Sequence, residues 1–448
     1  MSGTSEISPT AGAAVDDRVG LLRLATAGSV DDGKSTLVGR LLHDSKSVLS
    51  DQLEAVTRVS NERGQEEADL ALLTDGLRAE REQGITIDVA YRYFATARRR
   101  FILADTPGHV QYTRNMVTGA STAELAVVLV DARNGVVEQT RRHAAVAALL
   151  RVPHVVLAVN KMDLVDYSEE RFAEVANTFT EYAKALGVPD VRSIPVSALR
   201  GDNVVDPSSH MDWFSGPTLL EYLETVPVET DPTQEPARFP VQYVLRPQSD
   251  DEYRDYRGYA GQIASGVFHE DDEVVVLPSG QRTTIAGIDR LGVPVRQARQ
   301  GESVTLRLAD DVDVSRGDLI APIDEAPTPT QDVEATVCHV ADRPLRTGDR
   351  VLLKHTTRTV KAIVKDIAYR LDLDAPIDGE LGHEQHPTEL RANDIARVVL
   401  RTAQPLALDD YAVGRRTGSF LLIDEADGST LTAGMAGAAF AAPGRCHG

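Results

Sequence analysis

Apolar positions in the first half of the chain change their period in a regular way. Residues 21–27 form an apolar run of strand length, and residues 34–42 then place Leu37, Val38, Leu41 and Leu42 at helical spacing. Residues 86–94 alternate around Ile87, Val89, Tyr91 and Tyr93. After the basic turn Arg98-Arg99-Arg100 comes the apolar run 101–104, which predicts an antiparallel hairpin at a sheet edge with a solvated basic tip. Further apolar runs at 125–130, 154–159 and 191–196 are separated by helical stretches at 138–150 and 168–186. Such alternation gives a mostly parallel sheet covered on both faces.

The pattern shifts between Val226 and Phe239, where proline and acid mark a linker. Beyond it helical periodicity fades and short strand-like segments bounded by glycine recur at 240–245, 259–268, 272–277, 283–288 and 303–308, the spacing of a small closed barrel. A second proline-rich break at 326–330 precedes another such series at 333–340, 350–354, 360–367, 395–400 and 418–423. The expected organisation is a tail (1–20), an α/β domain (21–230), two all-β barrels (231–326 and 327–430) and a frayed Gly/Ala tail (431–448).

Composition adds limits. The 448 residues suit about three domains. No apolar run approaches the length of a membrane span, and Met1 to Gly20 has neither a basic segment nor an apolar core, so it reads as a disordered cytosolic tail. Cys338 and Cys446 give no disulfide framework and no metal spacing, which points to a reducing, cytoplasmic setting. With 47 basic and 68 acidic residues the formal charge is −21, which argues against a broad nucleic-acid footprint.

The chemistry is concentrated in the first domain. Gly28-Ser29-Val30-Asp31-Asp32-Gly33-Lys34-Ser35 fits G-x-x-x-x-G-K-[ST], with the strand before it and the helix after it that the motif requires, and Thr36 follows. In such a loop backbone N–H groups cradle phosphates, the lysine reaches the β and γ oxygens, and the hydroxyl of Ser35 ligates Mg²⁺. Asp105-Thr106-Pro107-Gly108-His109 follows the 101–104 run; there Asp105 can hold Mg²⁺ through water and the Gly108 N–H can meet the γ-phosphate. Thr86 is the candidate second hydroxyl ligand, on a segment ordered by the γ-phosphate, and His109 stands where a group must orient attacking water.

The base is chosen by Asn160-Lys161-Met162-Asp163. The Asp163 carboxylate can accept from N1–H and the exocyclic amine of guanine, whereas adenine presents an acceptor at N1. Asn160 supports the loop, the Lys161 stem can cover one face of the base, and Ser197-Ala198-Leu199 is placed to offer a backbone N–H to guanine O6. His383 and His386, near Glu384, lack a metal-binding helical pattern and read as solvated.

Together with Gly84-Ile85-Thr86 and the two barrels, these motifs resemble the translation-factor class of GTPases. The wording at 28–37, 78–94, 111–116 and Lys354-His355-Thr356-Thr357-Arg358-Thr359-Val360 resembles, more narrowly, the large GTP-binding subunit of bacterial sulfate adenylyltransferase, from about Leu21 to about Ala433. The resemblance implies a GTPase that couples GTP hydrolysis to formation of adenylyl sulfate and pyrophosphate from ATP and sulfate on a separate small, ATP-pyrophosphatase-type subunit. It also implies that Val30 and Ile85 flank the attacking water and that Asp31 ligates a monovalent cation. Some relatives fuse an adenylyl-sulfate kinase at the C-terminus, and this sequence has no second phosphate loop. An elongation-factor-like carrier of aminoacyl-tRNA is the alternative.

Overall fold

The computed structural model describes residues 20–45, 89–106, 113–188, 190–228, 234–246, 256–372 and 382–437. Six strands make its first sheet: β1 (Leu21–Ala27), β2 (Ala90–Ala95), β3 (Arg100–Asp105), β4 (Leu125–Asp131), β5 (His154–Asn160) and β6 (Val191–Pro195), in the order β2-β3-β1-β4-β5-β6. Only β2 runs antiparallel, pairing with β3 at the edge and stacking Phe94 on Phe101 at 4.5 Å. All seven positions of β4 are buried, as a central strand covered on both faces requires.

Alternate residues of β4 feed two cores. Ala126, Val128 and Val130 pack with the small side chains Ala144 to Ala148 of α3 (Glu138–Leu149) and with Phe179 of α4 (Glu169–Ala185). On the other face Leu125, Val127 and Leu129 meet Leu37 and Leu41 of α1 (Lys34–Asp44) and Leu219 and Leu223 of α5 (Leu219–Thr225). Between β3 and β4 lies α2 (Thr113–Ala120). Ser168 and Thr218 cap α4 and α5 by accepting the Arg171 and Glu221 N–H groups, each at 3.2 Å, so both helices start where a hydroxyl can satisfy a free donor. The basic turn is solvated at Arg98 and Arg100, as expected of a tip, but Arg99 is half-buried. Arg99 Nη1 donates to the carbonyls of Leu223 (2.9 Å) and Val226 (2.7 Å), because a cation is favoured at the open C-terminal carbonyls of α5.

Each β region closes on itself. The first ring runs Glu273–Leu277, Leu319–Pro322, Phe239–Leu245, Gly258–Gln262, Ser303–Leu308 and Gln281–Arg290, with the last pairing back to the first. The second runs Arg350–His355, Ser419–Ile423, Thr430–Ala436, Thr330–His339, Ile395–Leu406 and Arg358–Asp372, closed in the same way. Two expectations need correction. The 259–268 segment is two strands, Gly258–Gln262 and Val267–His269, because Gly266 turns at φ 72 where a Cβ would run into the Ala237 backbone. The expected frayed tail does not hold at 431–436, since Thr430–Ala436 is an inner strand of the second ring, paired on both sides. Its glycine is there for space: a Cβ on Gly434 would run into the Phe420 ring.

The two rings are joined by a buried ion pair. Arg238 Nη2 lies 2.9 Å from Asp409 Oδ1, with both side chains under 10 % exposed, and Thr417 Oγ1 donates to Asp409 Oδ2 at 2.6 Å. The Lys354 to Val360 phrase lies beside this junction. His355 Nε2 is 2.8 Å from the Thr417 carbonyl, and Arg358 Nη1 donates to Asp318 Oδ1 of the first ring at 2.9 Å. The second ring also docks on the α/β domain: Tyr411 Oη donates to the Leu150 carbonyl (3.0 Å), and Arg415 donates to those of Ala123 and Ser121. Cys338, Ile395 and Met435 complete the core beneath α3.

Candidate functional site

The phosphate loop joins β1 to α1, and its geometry is that of an anion cradle. Gly33 caps α1 at φ 93 with no side-chain bond, so the first helical N–H groups stay free for a ligand. A Cβ on Gly33 would stand 2.5 Å from Asn160 Nδ2, so conformation and space both demand glycine. Lys34 is buried, and its Nζ donates to the carbonyls of Gly28 and Ser29 at 2.8 Å each. Burial lowers its pKa; the charges of Asp105, Asp32 and Asp31 act the other way. Asp32 is nearly buried, which raises its carboxyl pKa, while Oδ2 accepts the Ser29 N–H at 2.6 Å. Asp31 holds φ 68, and Val30 is 41 % exposed at the mouth. Ser35 and Thr36 occupy the first turn of α1, half-buried.

Asp105 closes β3 opposite Thr26 of β1, which donates Oγ1–H to Asp105 Oδ1 at 2.9 Å. Thr106 Oγ1 donates in turn to the Thr26 carbonyl. Asp105 is 2 % exposed. The Ser35 hydroxyl and the Asp105 carboxylate are hard oxygen donors, a set that fits Mg²⁺ completed by phosphate and water oxygens. Thr86, Ile85, Pro107, Gly108 and His109 lie outside the described residues, as does Cys446.

The base loop follows β5. Asn160 joins three segments, donating Nδ2–H to the Asp32 carbonyl (2.7 Å) and accepting the Ala198 N–H at Oδ1 (2.9 Å). That bond engages the Ala198 N–H inside the loop, and the Ser197 N–H goes to the Asp202 carbonyl at 3.1 Å. Ser197 Oγ donates to Asp163 Oδ1 at 2.7 Å and leaves Oδ2 directed by that anchor. Met162 is fully buried, with its N–H on the Val196 carbonyl, so its side chain anchors the loop from below. Leu199 is 54 % exposed.

Three further contributors escaped the motifs. Thr26 orients Asp105; Arg40 of α1 donates to the carbonyls of Ala198 (3.1 Å) and Leu199 (2.5 Å); Asp131 ends β4 beside Lys161. Thr26 and Asp131 sit at the carboxyl ends of strands in a parallel sheet, where ligands bind, and that position is a usable signal. Arg40 carried none, since a basic residue on an amphipathic helix reads as a solvated face.

Comparison with known proteins follows the geometry. The family model described as Elongation factor Tu GTP binding domain matches residues 20–228, and that described as GTP-eEF1A C-terminal domain-like matches residues 332–436. The "Bifunctional enzyme CysN/CysC" of Mycobacterium tuberculosis (strain ATCC 25618 / H37Rv) is 56 % identical over 416 residues, covering 93 % of this chain and 67 % of that protein. The "Sulfate adenylyltransferase subunit 1" of Bacteroides thetaiotaomicron is 49 % identical over 427 residues, covering 94 % and 87 %. That of Shewanella oneidensis is 48 % identical over 425 residues, covering 93 % and 85 %. A solved structure of sup35 complexed with GMPPNP aligns over 94 % of this chain and 95 % of its own at 24 % identity and a TM-score of 0.41.

Proposed function

The chain belongs to the sulfate adenylyltransferase subunit 1 family, and from that premise we propose that it drives an adenylyl transfer carried out on a separate small catalytic subunit of the ATP-pyrophosphatase type, in a cytoplasmic heterodimer. It is the GTP-binding, GTP-hydrolysing subunit of a sulfate adenylyltransferase in sulfate assimilation. The aminoacyl-tRNA carrier is not favoured, because relatives at about half identity over most of the chain carry the sulfate name. No helix among the described residues is long and apolar enough to cross a membrane.

The chemistry explains why GTP is needed. ATP and sulfate give adenylyl sulfate and pyrophosphate, replacing a phosphoanhydride by a less stable phosphate–sulfate anhydride, so the reaction runs uphill until a second hydrolysis pulls it. The observation that supports the division of labour is that the described motif residues Lys34, Asp105, Asn160 and Asp163 all line one end of one sheet, room for a single nucleotide. Residues 28–36 cradle the phosphates, with the Lys34 ammonium moving from the loop carbonyls to the β and γ oxygens. Ser35, Asp105 and Thr86 would hold Mg²⁺, which would offset the phosphate charge when bound. Asp163 reads guanine and Ser197 fixes its carboxylate. Thr106, Pro107 and Gly108 follow the γ-phosphate, and His109 orients the attacking water between Val30 and Ile85.

Asp163→Asn tests the reading in the assembled enzyme. Replacing one acceptor by a donor should weaken GTP by about 1–3 kcal/mol and favour xanthosine triphosphate, which carries an acceptor at position 2. Adenylyl sulfate formation by the variant should then respond to xanthosine triphosphate in place of GTP. A variant still driven by GTP alone would contradict the assignment.

A further inference from the structure

Asp131 stands at the end of β4, outside every nucleotide motif, yet it meets two of them. Its Oδ2 lies 3.0 Å from Lys161 Nζ, and the same ammonium donates to the Asp31 carbonyl of the phosphate loop. The Asp131 side chain is 2 % exposed and that of Lys161 is 23 %, so their pair is partly shielded from water and strengthened by that shielding.

The carboxylate is held still by its surroundings. Arg133 grips it with Nε (3.0 Å) and Nη2 (2.6 Å), and Arg171 of α4 fixes the turn through the carbonyls of Ala132 (2.6 Å) and Arg133 (3.0 Å). Lys161 itself stands at φ 63, where its backbone is strained and its side chain is aimed by the turn.

We infer that Asp131 is a positioning residue for guanine nucleotide: it holds the Lys161 stem across the gap between the base loop and the phosphate loop, and so sets how long the nucleotide stays bound. The inference rests on the reading of Lys161 as the residue that covers the base. With the ammonium tethered at both ends, the stem is ordered before the base arrives, and less freedom is lost on binding. Asp131 is remote in sequence from the γ-phosphate motifs, so it governs residence and leaves the hydrolytic step nearly alone.

Release of a fluorescent GDP from the full chain, chased by excess unlabelled GDP, measures this. Asp131→Asn and Lys161→Met should each speed release by about tenfold, and Asp131→Asn should change the GTPase kcat at saturating GTP by less than about threefold. The double variant should release within about twofold of Lys161→Met, because the second change removes an interaction already lost. Arg133→Ala should speed release by clearly less than Asp131→Asn, since the Asp131 charge then stays beside Lys161. If Lys161→Met is unchanged, the reading of the base loop itself fails. If Lys161→Met is fast and Asp131→Asn is not, only the present inference fails. Multiplicative rates in the double variant, or an Arg133→Ala as fast as Asp131→Asn, would equally overturn it. Should Asp131→Asn fail to fold, Asp131→Glu keeps the charge but displaces it: faster release that disappears in a Lys161→Met background supports the inference, and undiminished acceleration there contradicts it.

Discussion

At the phosphate loop the Lys34 ammonium is already satisfied by the Gly28 and Ser29 carbonyls, so an incoming triphosphate replaces two neutral acceptors with charged ones. Lys34→Ala should therefore damage both GTP affinity and kcat. His109→Ala should lower kcat for GTP hydrolysis by about 10²-fold or more with affinity nearly unchanged, because a water-orienting group acts chiefly in the transition state. Equilibrium titration beside single-turnover hydrolysis separates the two, and equal losses of binding would mean that His109 is structural. Much at this scale was legible because each motif ties residue type to ligand chemistry at fixed spacing. Asp131 and Arg40 were not, because their roles come from strands and helices brought together by the fold. Ser197-Ala198-Leu199 is expected to offer a backbone N–H to guanine O6; the folded loop engages the Ser197 N–H with Asp202 and the Ala198 N–H with Asn160.

Among elements, the junction between β1 and α1 is the least forgiving. Placing a Cβ at Gly33 would force a side chain into φ 93 and push on Asn160 Nδ2. Strain of about 1–3 kcal/mol is expected, and Gly33→Ala should lower GTP affinity by about tenfold or more, as measured by titration. α3 makes a different prediction. Burial pushes the His143 imidazole down to about 3 from its ordinary 6.5, so between those values the unfolded chain binds a proton that the native state refuses. Stability should fall with decreasing pH by about 1.4 kcal/mol per unit from this group. Urea unfolding between about pH 7 and pH 5 checks it, and the slope should flatten in His143→Gln. An unchanged slope would show that His143 titrates freely in the native state. Hydrophobic period sufficed to find the strands of the first sheet, because parallel strands buried on both faces are continuous apolar runs. It failed at Gly266 and Gly434, where a backbone approach and the Phe420 ring decide the local structure.

Over the whole molecule, three bodies are joined by polar contacts that no periodicity reveals. Arg238 and Asp409 are 171 residues apart and pair in a buried junction between the rings, with Arg358 and Asp318 beside them. Arg238→Ala leaves the Asp409 carboxylate buried without its partner and should cost about 3–5 kcal/mol in denaturant unfolding. A loss below about 1 kcal/mol would place the pair among exposed ones. The Lys354 to Val360 phrase, which carried the family resemblance in the sequence, serves this junction through His355 and Arg358 and touches none of the nucleotide-site residues described. The barrel pair docks on the α/β domain through Tyr411 at Leu150, just after α3, and through Arg415 at Ser121 and Ala123, just after α2.

The central claim is that this subunit drives adenylyl transfer without performing it. Product formation from ATP and labelled sulfate, with this chain alone, the small subunit alone and the two together, each with and without GTP, tests it most directly. The chain alone should hydrolyse GTP slowly and form no adenylyl sulfate, and the pair should form it to a higher level with GTP than without. Adenylyl sulfate made by the isolated chain, or a pair indifferent to GTP, would contradict the account.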